Sequence, residues 1–204
     1  MNETINFLLA GVGGQGTILA SDVLVNVGLA AGYQAKQAEV HGMSQRGGRV
    51  TSHVRWGKVV YSPIAGVGEI DVLLSFEKAE ALRNLHMLRP DGLAVVNMEA
   101  IEPVTVTSGG QTYPTDDHLL AAFAKATSHV VYVHGAEIAT KLGNARVANV
   151  VLLGALAAQV DKLGMAGMRL SFDIWVDVIG GRVPQKYIEL NKKAFMAGWE
   201  IVKK

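Results

Sequence analysis

The run Ile5-Asn6-Phe7-Leu8-Leu9-Ala10, followed directly by Gly11-Val12-Gly13-Gly14-Gln15-Gly16-Thr17, decides the fold of this chain. A short apolar run that ends in glycines is typical of a buried strand. From Thr17 to Ala31 the apolar residues return at helical spacing. The sequence therefore predicts a strand, a glycine loop and a helix in direct succession.

Strands and helices alternate along the rest of the chain. Hydrophobic patterns predict strands at 33–40, 48–56, 70–76, 93–97 and 130–133. They predict helices at 77–88, after Thr115-Asp116-Asp117, and at 136–142, 146–163, 172–178 and 185–202. The alternation predicts the α/β class, as a Rossmann-like three-layer α/β/α sandwich with a mainly parallel, partly mixed sheet. No linker or repeat divides residues 1–204, so a single domain is expected.

Two short hairpins are expected to interrupt this alternation. They join 48–56 to 59–62 through Gly57-Lys58, and 104–107 to 111–113 through Ser108-Gly109-Gly110. In the first hairpin Arg49 and Arg55 fall on the same side of the strand, because side chains alternate between the two faces. The prediction is a hairpin with one basic face.

Composition limits the chemistry of the chain. The 204 residues include no cysteine, which excludes a thiolate nucleophile and an iron–sulfur cluster held by this chain's own thiolates. No apolar run approaches the ~20 residues of a membrane span, and the first one is too short for the core of a signal peptide. We therefore expect a cytoplasmic protein with no membrane partner.

A basic peptide extends from His41 to Lys58. It contains Arg46, Arg49, Arg55 and Lys58 and no acidic residue, although the whole chain has a formal net charge of only +1. We expect this peptide to meet an anionic ligand or an acidic protein surface. Nucleic acid fits less well, because the rest of the chain is not basic and no aromatic series interleaves the arginines.

The glycine loop has the spacing G-x-G-x-x-G at Gly11, Gly13 and Gly16. Glycines there permit a tight turn, and the free N–H groups at the start of the following helix favour a phosphate. The same glycines would equally let the helix pack closely on the sheet without any ligand. A dinucleotide site also needs an acid after the second strand; Glu39 is in range, but the basic peptide beside it is unusual.

Other chemistries find less support in the sequence. The doubled glycine resembles the ATP loop of enzymes that adenylate ubiquitin-like proteins, but those usually carry a cysteine. The chain lacks the Gly-Asp-Gly motif of a thiamine diphosphate site. Its six histidines, at 41, 53, 86, 118, 129 and 134, do not have metal-ligand spacing, so no metal site is predicted. His41 alone is a candidate hydrogen-bond donor or acid–base group, and an ordinary loop hydrogen bond is its simpler role.

Several motifs together carry a specific resemblance. They are the loop at 11–17, Ala38-Glu39-Val40-His41-Gly42-Met43-Ser44-Gln45-Arg46-Gly47-Gly48, Ser52-His53-Val54-Arg55, Tyr61-Ser62-Pro63 and Leu142-Gly143-Asn144. With them, nearly the whole chain resembles the beta subunits of indolepyruvate:ferredoxin oxidoreductases. These belong to the gamma-domain family of 2-oxoacid:acceptor oxidoreductases. Relatives for pyruvate or 2-oxoglutarate usually differ in the second motif, so its form here favours the aryl-pyruvate branch.

The resemblance implies the oxidative decarboxylation of an aryl 2-oxoacid to an aryl-acetyl-CoA, with electrons passed to ferredoxin. It implies that thiamine diphosphate, magnesium and [4Fe-4S] clusters belong to a large partner subunit, and that coenzyme A is a co-substrate. This chain would then bind none of these cofactors alone and would be inactive alone. Three alternatives stay open: the gamma subunit of a pyruvate or 2-oxoglutarate oxidoreductase, a free-standing NAD(P)-binding Rossmann protein, and an assembly subunit without a ligand.

From the loop and the basic peptide we predict a set of ligand-contacting residues and no catalytic residue. The set is Gly11, Gly13, Gly14, Gln15, Gly16, Thr17, His41, Ser44, Gln45, Arg46 and Arg49. Coenzyme A phosphates would suit the arginines, which is an inference from their charge. The apolar side of the last helix, including Phe195 and Trp199, is a candidate for the subunit interface.

Overall fold

The structure is a computed structural model that describes residues 4–41, 48–165 and 170–203, apart from the side chains of His41 and Val104. The predicted ligand residues Ser44, Gln45 and Arg46 therefore lie outside the described residues. No helix among the described residues is both long enough and apolar enough to cross a membrane.

The described residues form one sheet of six strands in the order β2-β3-β1-β4-β5-β6. The strands are β1 (Thr4–Val12), β2 (Gln34–His41), β3 (Arg49–Gly57), β4 (Ile70–Ser75), β5 (Leu88–Asn97) and β6 (Val130–Val133). β1, β4, β5 and β6 are parallel to one another, whereas β3 is antiparallel to both of its neighbours. The predicted mainly parallel, partly mixed sheet is confirmed.

Helices cover both faces of the sheet. They are α1 (Thr17–Ala30), α2 (Lys78–Asn84), α3 (Val104–Thr107), α4 (Asp116–Ala126), α5 (Gly135–Lys141), α6 (Ala148–Leu163), α7 (Phe172–Arg182) and α8 (Ile188–Lys203). One core joins Phe7 and Leu9 of β1 to α1, α6, α7 and α8. A second core joins Leu8 and Ala10 of β1 to α2 and α4. Because successive side chains of β1 enter opposite cores, the run at 5–10 is apolar on both sides apart from Asn6.

The start of the chain folds as its pattern predicts. Ala20, Val23 and Val27 of α1 are buried against the sheet, so the helix carries the spacing of a one-sided apolar face. Gly28 lets α1 approach closely, since a Cβ there would lie 2.6 Å from Cδ1 of Trp56 on β3. The Trp56 ring lies 4.5 Å from the ring of Phe7. Helix and sheet are therefore packed without a gap at this point.

Both predicted hairpins are wrong. β3 pairs over its whole length with β1 and from Val50 to Gly57 with β2, and residues 58–69 form a loop with no strand. The eight residues of β2 supply more ladder hydrogen bonds than the short segment at 59–62, which also ends at Pro63, a residue without an N–H donor. At the second site the amides of Val106 and Thr107 donate to the Pro103 carbonyl, because proline favours the first turn of a helix.

The predicted helix at 77–88 is shorter in the structure. α2 ends at Asn84, a 3₁₀ turn covers Leu85–Met87, and β5 begins at Leu88. The expectation that the apolar side of the last helix faces a partner is wrong for its aromatic residues. Phe195 is fully buried and Trp199 is 8% exposed. Both pack against Phe172 within the chain's own core.

Candidate functional site

A crevice of about 740 Å³ opens at the carboxyl ends of β1, β4 and β5. The chain leaves β1 toward α1 and β2 on one side of the sheet, while β4 and β5 continue on the other side. In open α/β sheets, ligands bind at such a point, where the order of the strands reverses. Its lining includes Gly13, Gly14, Gln15, Gly16, Phe76, Asn97, Glu99, Arg146 and Asn149. Four of the predicted ligand residues are therefore in the crevice wall.

The glycines of the loop have distinct conformational roles. Gly14 and Gly16 have φ angles of 105° and 79°, a region that side-chain-bearing residues rarely adopt. At Gly11 space is the constraint, because a Cβ would lie 2.9 Å from Gln15 Oε1 and 3.1 Å from Phe76 Cβ. Gly16 is also the N-cap of α1 and offers the first-turn amides no side-chain acceptor. The first turn of α1 therefore begins beside the crevice with N–H groups that no side chain caps.

Gln15 ties the loop to the neighbouring strand ends. Its Nε2 donates to the Phe76 carbonyl at 2.8 Å and to Glu99 Oε2 at 3.2 Å. Its Oε1 accepts from the Val12 amide at 3.0 Å. The side chain is thus engaged within the protein, and its contribution to the crevice is to fix the shape of the loop.

Asn97 and Glu99 were not among the sequence candidates. Asn97 ends β5 and is 2% exposed; its Nδ2 donates to the Phe76 carbonyl at 3.0 Å and to Glu99 Oε2 at 3.2 Å. Its Oδ1 accepts from the Gly135 amide at 3.0 Å, which fixes the start of α5. One carboxylate oxygen of Glu99 is therefore held by two amide groups at the crevice. The sequence does mark both residues, because they stand at the carboxyl end of a buried strand, where polar residues often reach a ligand site.

The segment before α6 supplies the opposite wall, which the sequence candidates also omitted. Asn149 is 5% exposed, and its Nδ2 donates to the Gly16 carbonyl at 3.4 Å. Arg146 lies on the 3₁₀ turn Ala145–Val147, where its backbone amide is capped by Asn144 Oδ1 at 3.0 Å. The exposed Arg146 side chain makes no ion pair with the described residues. It is available to an anion in the crevice.

Thr17, a predicted ligand residue, faces a smaller cavity of about 290 Å³ on the other side of the loop. The residue is 3% exposed, and its Oγ1 has no hydrogen-bond partner within the described part of the chain. A buried hydroxyl without a partner is costly, so this atom is well placed to contact a ligand group at the start of α1. The cavity is also lined by Ile18 and Val50.

Arg49 and Arg55 lie on the same side of β3, but at opposite ends of the strand and with the buried His53 between them, so the peptide does not present one continuous basic surface. Arg49 is exposed at the start of β3, opposite Val12 and so next to the glycine loop. The Gly13 amide donates to the Gly48 carbonyl at 2.9 Å, which holds the two segments together. Arg55 lies at the other end of β3. Its guanidinium donates to Asn6 Oδ1 and to the carbonyls of Ser62 and Ile64 in the loop that follows β3. The backbone of His41 pairs with Val50.

Because His53 is buried, the stability of the protein should depend on pH. The residue is 7% exposed, and burial, followed by the charge of Arg55, lowers its pKa below the usual 6.5. The unfolded chain therefore binds a proton at His53 at a higher pH than the folded chain does. The free energy of unfolding should consequently fall as the pH is lowered below about 6.5. Urea unfolding at about pH 7.5 and about pH 5.5 would measure this fall, which the His53→Gln variant should reduce.

The comparison with the variant is needed because Glu80 acts in the opposite direction. Burial raises its pKa above 4.5, so the folded carboxyl group keeps its proton to a higher pH than the unfolded one. Acidification near that pKa therefore favours folding through Glu80. An equal pH dependence in wild type and His53→Gln would contradict the role given to His53.

The fold and the crevice define a doubly wound α/β protein with a glycine loop at the topological switch point. A family model described as pyruvate ferredoxin/flavodoxin oxidoreductase matches residues 6–201. The chain belongs to this family, which confirms the resemblance found in its motifs.

Curated relatives match over nearly the full length. Indolepyruvate oxidoreductase subunit IorB of Thermococcus kodakarensis is 40% identical over 199 residues, which cover 97% of this chain and 96% of the relative. The protein of the same name from Pyrococcus horikoshii is 39% identical over 199 residues, with the same coverage of 97% and 96%.

Solved structures share the fold. The gamma subunit of a keto/oxoacid ferredoxin oxidoreductase from Geobacter sulfurreducens matches with a TM-score of 0.70 at 24% identity, over 98% of each chain. A 2-oxoglutarate:ferredoxin oxidoreductase from Magnetococcus marinus, solved with 2-oxoglutarate, coenzyme A and succinyl-CoA bound, matches with a TM-score of 0.71 at 19% identity. That match covers 100% of this chain and 32% of the other. The Rossmann-like arrangement predicted from the sequence is thus confirmed.

Proposed function

We propose that this chain is the small subunit of a cytoplasmic indolepyruvate:ferredoxin oxidoreductase, folded as one domain over residues 1–204. The complex would convert an aryl 2-oxoacid to the aryl-acetyl-CoA and pass electrons to ferredoxin. The observation that carries this proposal is the identity of 40% to an indolepyruvate oxidoreductase subunit, over 97% of this chain and 96% of the relative.

The redox cofactors are assigned to a large partner subunit. The chain has no cysteine, so it offers no thiolate for a [4Fe-4S] cluster. Among the residues described, no three His, Asp or Glu side chains come together as a metal site. Thiamine diphosphate, its magnesium ion and the clusters are therefore proposed to belong to the partner, and this chain to complete the complex.

The crevice is proposed to receive the anionic part of coenzyme A. Uncapped amides at the start of α1 and the guanidinium of Arg146, which has no ion pair within the described ranges, both favour a phosphate. Arg49, exposed beside the loop, adds a second positive charge. The Magnetococcus marinus oxidoreductase that shares this fold was solved with coenzyme A bound, which is consistent with this choice.

The sheet order argues against the alternative of an NAD(P)-binding protein. In a dinucleotide fold the acid that binds the ribose ends the strand next to β1. Here β3 lies between β1 and β2, so Glu39 is two strands away from the glycine loop. Two strand spacings amount to about 10 Å, too far for one residue to serve a ribose held at the loop. We expect no useful affinity for NAD(H) or NADP(H).

Purification of the tagged chain from the cells that make it tests the proposal. The chain should retain a large subunit that contains thiamine diphosphate and iron, and this complex should reduce ferredoxin with indolepyruvate and coenzyme A. The isolated chain should show no turnover. Activity of the chain alone, or retention of no such partner, would contradict the proposal.

In the same assay, Arg146→Ala should raise KM for coenzyme A by about tenfold and leave kcat nearly unchanged, as loss of one charge-assisted contact predicts. Lys125→Ala, which removes an exposed cation from α4, is the matched control and should leave KM unchanged. An unchanged KM in Arg146→Ala would remove this residue from the coenzyme A site while leaving the assignment of the complex intact.

A further inference from the structure

The loop at residues 58–69, between β3 and β4, exposes four large apolar side chains. The exposed fractions are 50% for Val59, 90% for Tyr61, 55% for Ile64 and 71% for Val67. Scattered apolar residues on a surface are common, but four within nine positions of one loop form a concentrated patch. This group of residues is called the 58–69 patch below.

The loop that carries the patch is held in place by side chains from the sheet. Arg55 donates from Nη1 to the Ser62 carbonyl at 3.0 Å and from Nη2 to the Ile64 carbonyl at 3.2 Å. Its Nε donates to Asn6 Oδ1 at 2.6 Å, which fixes the guanidinium on β1. Arg55 thus holds the loop with two nitrogens and is itself fixed to β1 by the third.

The edge strand β2 supplies two further contacts. The Val60 amide donates to Gln34 Oε1 at 3.0 Å, and Lys36 Nζ donates to the Tyr61 carbonyl at 3.3 Å. Val60 and Ala65 point inward and are each 3% exposed, so they anchor the loop between the outward residues. The apolar side chains are therefore presented on a preorganised backbone, which lowers the entropy lost when a partner binds.

Charges beside the patch indicate what kind of surface covers it. Lys36, which contacts the Tyr61 carbonyl, and Lys58, at the start of the loop, are both exposed. The one carboxylate of the loop, Glu69, stands at its other end and accepts from the Gly66 amide at 2.8 Å. A two-fold contact between copies of this chain centred on Tyr61 would place the lysines of both copies in one interface, which opposes association. A different protein with an apolar pocket and an acidic rim fits the patch.

We propose that the 58–69 patch is the docking surface for the large subunit of the oxidoreductase, with Tyr61 inserted into an apolar pocket that acidic residues surround. The inference rests on the function proposed above, which requires a lasting partner. Four side chains cover less area than a stable interface buries, so the patch is the central part of a larger contact. Tyrosine is among the residues that dominate such centres.

The test uses the complex retained by the tagged chain, recognised by its thiamine diphosphate and iron. A Tyr61→Ser/Val67→Ser variant should retain the large subunit with an affinity at least about tenfold weaker. The matched control, Leu120→Ser/Met196→Ser, changes two apolar residues that are 41% and 48% exposed on α4 and α8. It should bind like the wild type. Both variants should melt near the wild-type temperature when isolated, because neither changes a buried residue.

Lys58→Glu adds an independent measurement. If the pocket has an acidic rim, this charge reversal should slow association, and higher salt should reduce the difference from the wild type. Unchanged affinity in the Tyr61→Ser/Val67→Ser variant would overturn the docking surface while the proposed function stands. A wild-type chain that retains no large subunit would overturn both. Sedimentation of the isolated chain as a dimer that Tyr61→Ser dissociates would assign the patch to a second copy and also overturn the proposal.

Discussion

Replacing Gly198 by alanine should lower the free energy of unfolding by about 3 kcal/mol or more, although alanine is the better helix former. Gly198 lies in the interior of α8, where that helix crosses α6. A Cβ at this position would overlap the Val151 carbonyl oxygen and would lie 3.0 Å from the Ala155 amide nitrogen. These are backbone atoms, so no side-chain rotation can relieve the overlap, and the two helices must separate.

The contact is matched from the other helix. A Cβ on Gly154 of α6 would overlap the Phe195 carbonyl and would lie 2.9 Å from the Trp199 amide nitrogen. Separation of the helices would therefore disturb the aromatic cluster in which the rings of Phe195 and Trp199 lie 6.1 Å apart. Most of the cost should come from lost packing around this cluster.

Urea unfolding of the isolated chain measures the effect. Gly181→Ala is the matched control, because it makes the same chemical change in α7 at a position where a Cβ meets no atom within 4 Å. The control should be neutral or more stable by up to about 1 kcal/mol. If the Gly198→Ala variant were as stable as the wild type, the helices could not be in backbone contact at Gly198.

Local sequence patterns predicted the parts of the fold that depend on neighbouring residues. The first strand, the glycine loop and α1 follow from the pattern at 5–31 because one buried run and one helical spacing suffice to define them. The start of α4 follows from a local signal as well, because threonine is a preferred N-cap residue. Thr115 Oγ1 accepts from the His118 amide, as expected of a helix N-cap.

Strand pairing was less predictable because it is a competition between distant segments. The pattern at 48–56 correctly indicates a strand, but local spacing predicts the nearest apolar stretch, 59–62, as its partner. The structure pairs it with β2 and β1, whose residues lie up to about 50 positions away. The predicted basic face is interrupted for a related reason, although its arginines do lie on one side of β3. Once 58–69 is a loop, Arg55 becomes the side chain that holds it.

The sequence indicates the glycine loop of the crevice but not the residues of its other walls. Its glycines form a local motif, whereas Glu99 and Asn149 reach the loop only through the fold, by hydrogen bonds that span 84 and 133 positions. Nothing in the residues around Asn149 marks it as a crevice residue. Asn97 and Glu99 could have been suspected from their place after a buried strand.

Gly16→Ala should have the largest effect on the crevice, because two separate costs meet at that position. The φ angle of 79° is strained for alanine, and the new Cβ would overlap Asn149 Nδ2 and lie 3.2 Å from Asn149 Cγ. We expect a loss of about 3 kcal/mol in stability and an increase of at least about a hundredfold in KM for coenzyme A. The increase would arise because the loop can no longer present the first amides of α1 to a phosphate.

A double-mutant cycle separates the two costs. In the Asn149→Ala background the colliding amide is gone, and the closest remaining contact of the Gly16 Cβ would be Asn149 Cβ at 3.6 Å, an ordinary packing distance. Gly16→Ala should then cost only the backbone strain, about 1–2 kcal/mol, so the two substitutions should couple by about 1 kcal/mol or more. Gly14→Ala is the control for strain alone, since φ there is 105° and a Cβ meets nothing within 4 Å.

The same cycle, measured by KM in the assembled complex, tests the crevice as a coenzyme A site. If the position of the loop determines phosphate binding, removal of the Asn149 side chain should restore part of the affinity that Gly16→Ala loses. Recovery of stability without recovery of KM would show that the loop is structural and that coenzyme A binds elsewhere. Strictly additive free energies of unfolding would contradict the contact between Gly16 and Asn149 itself.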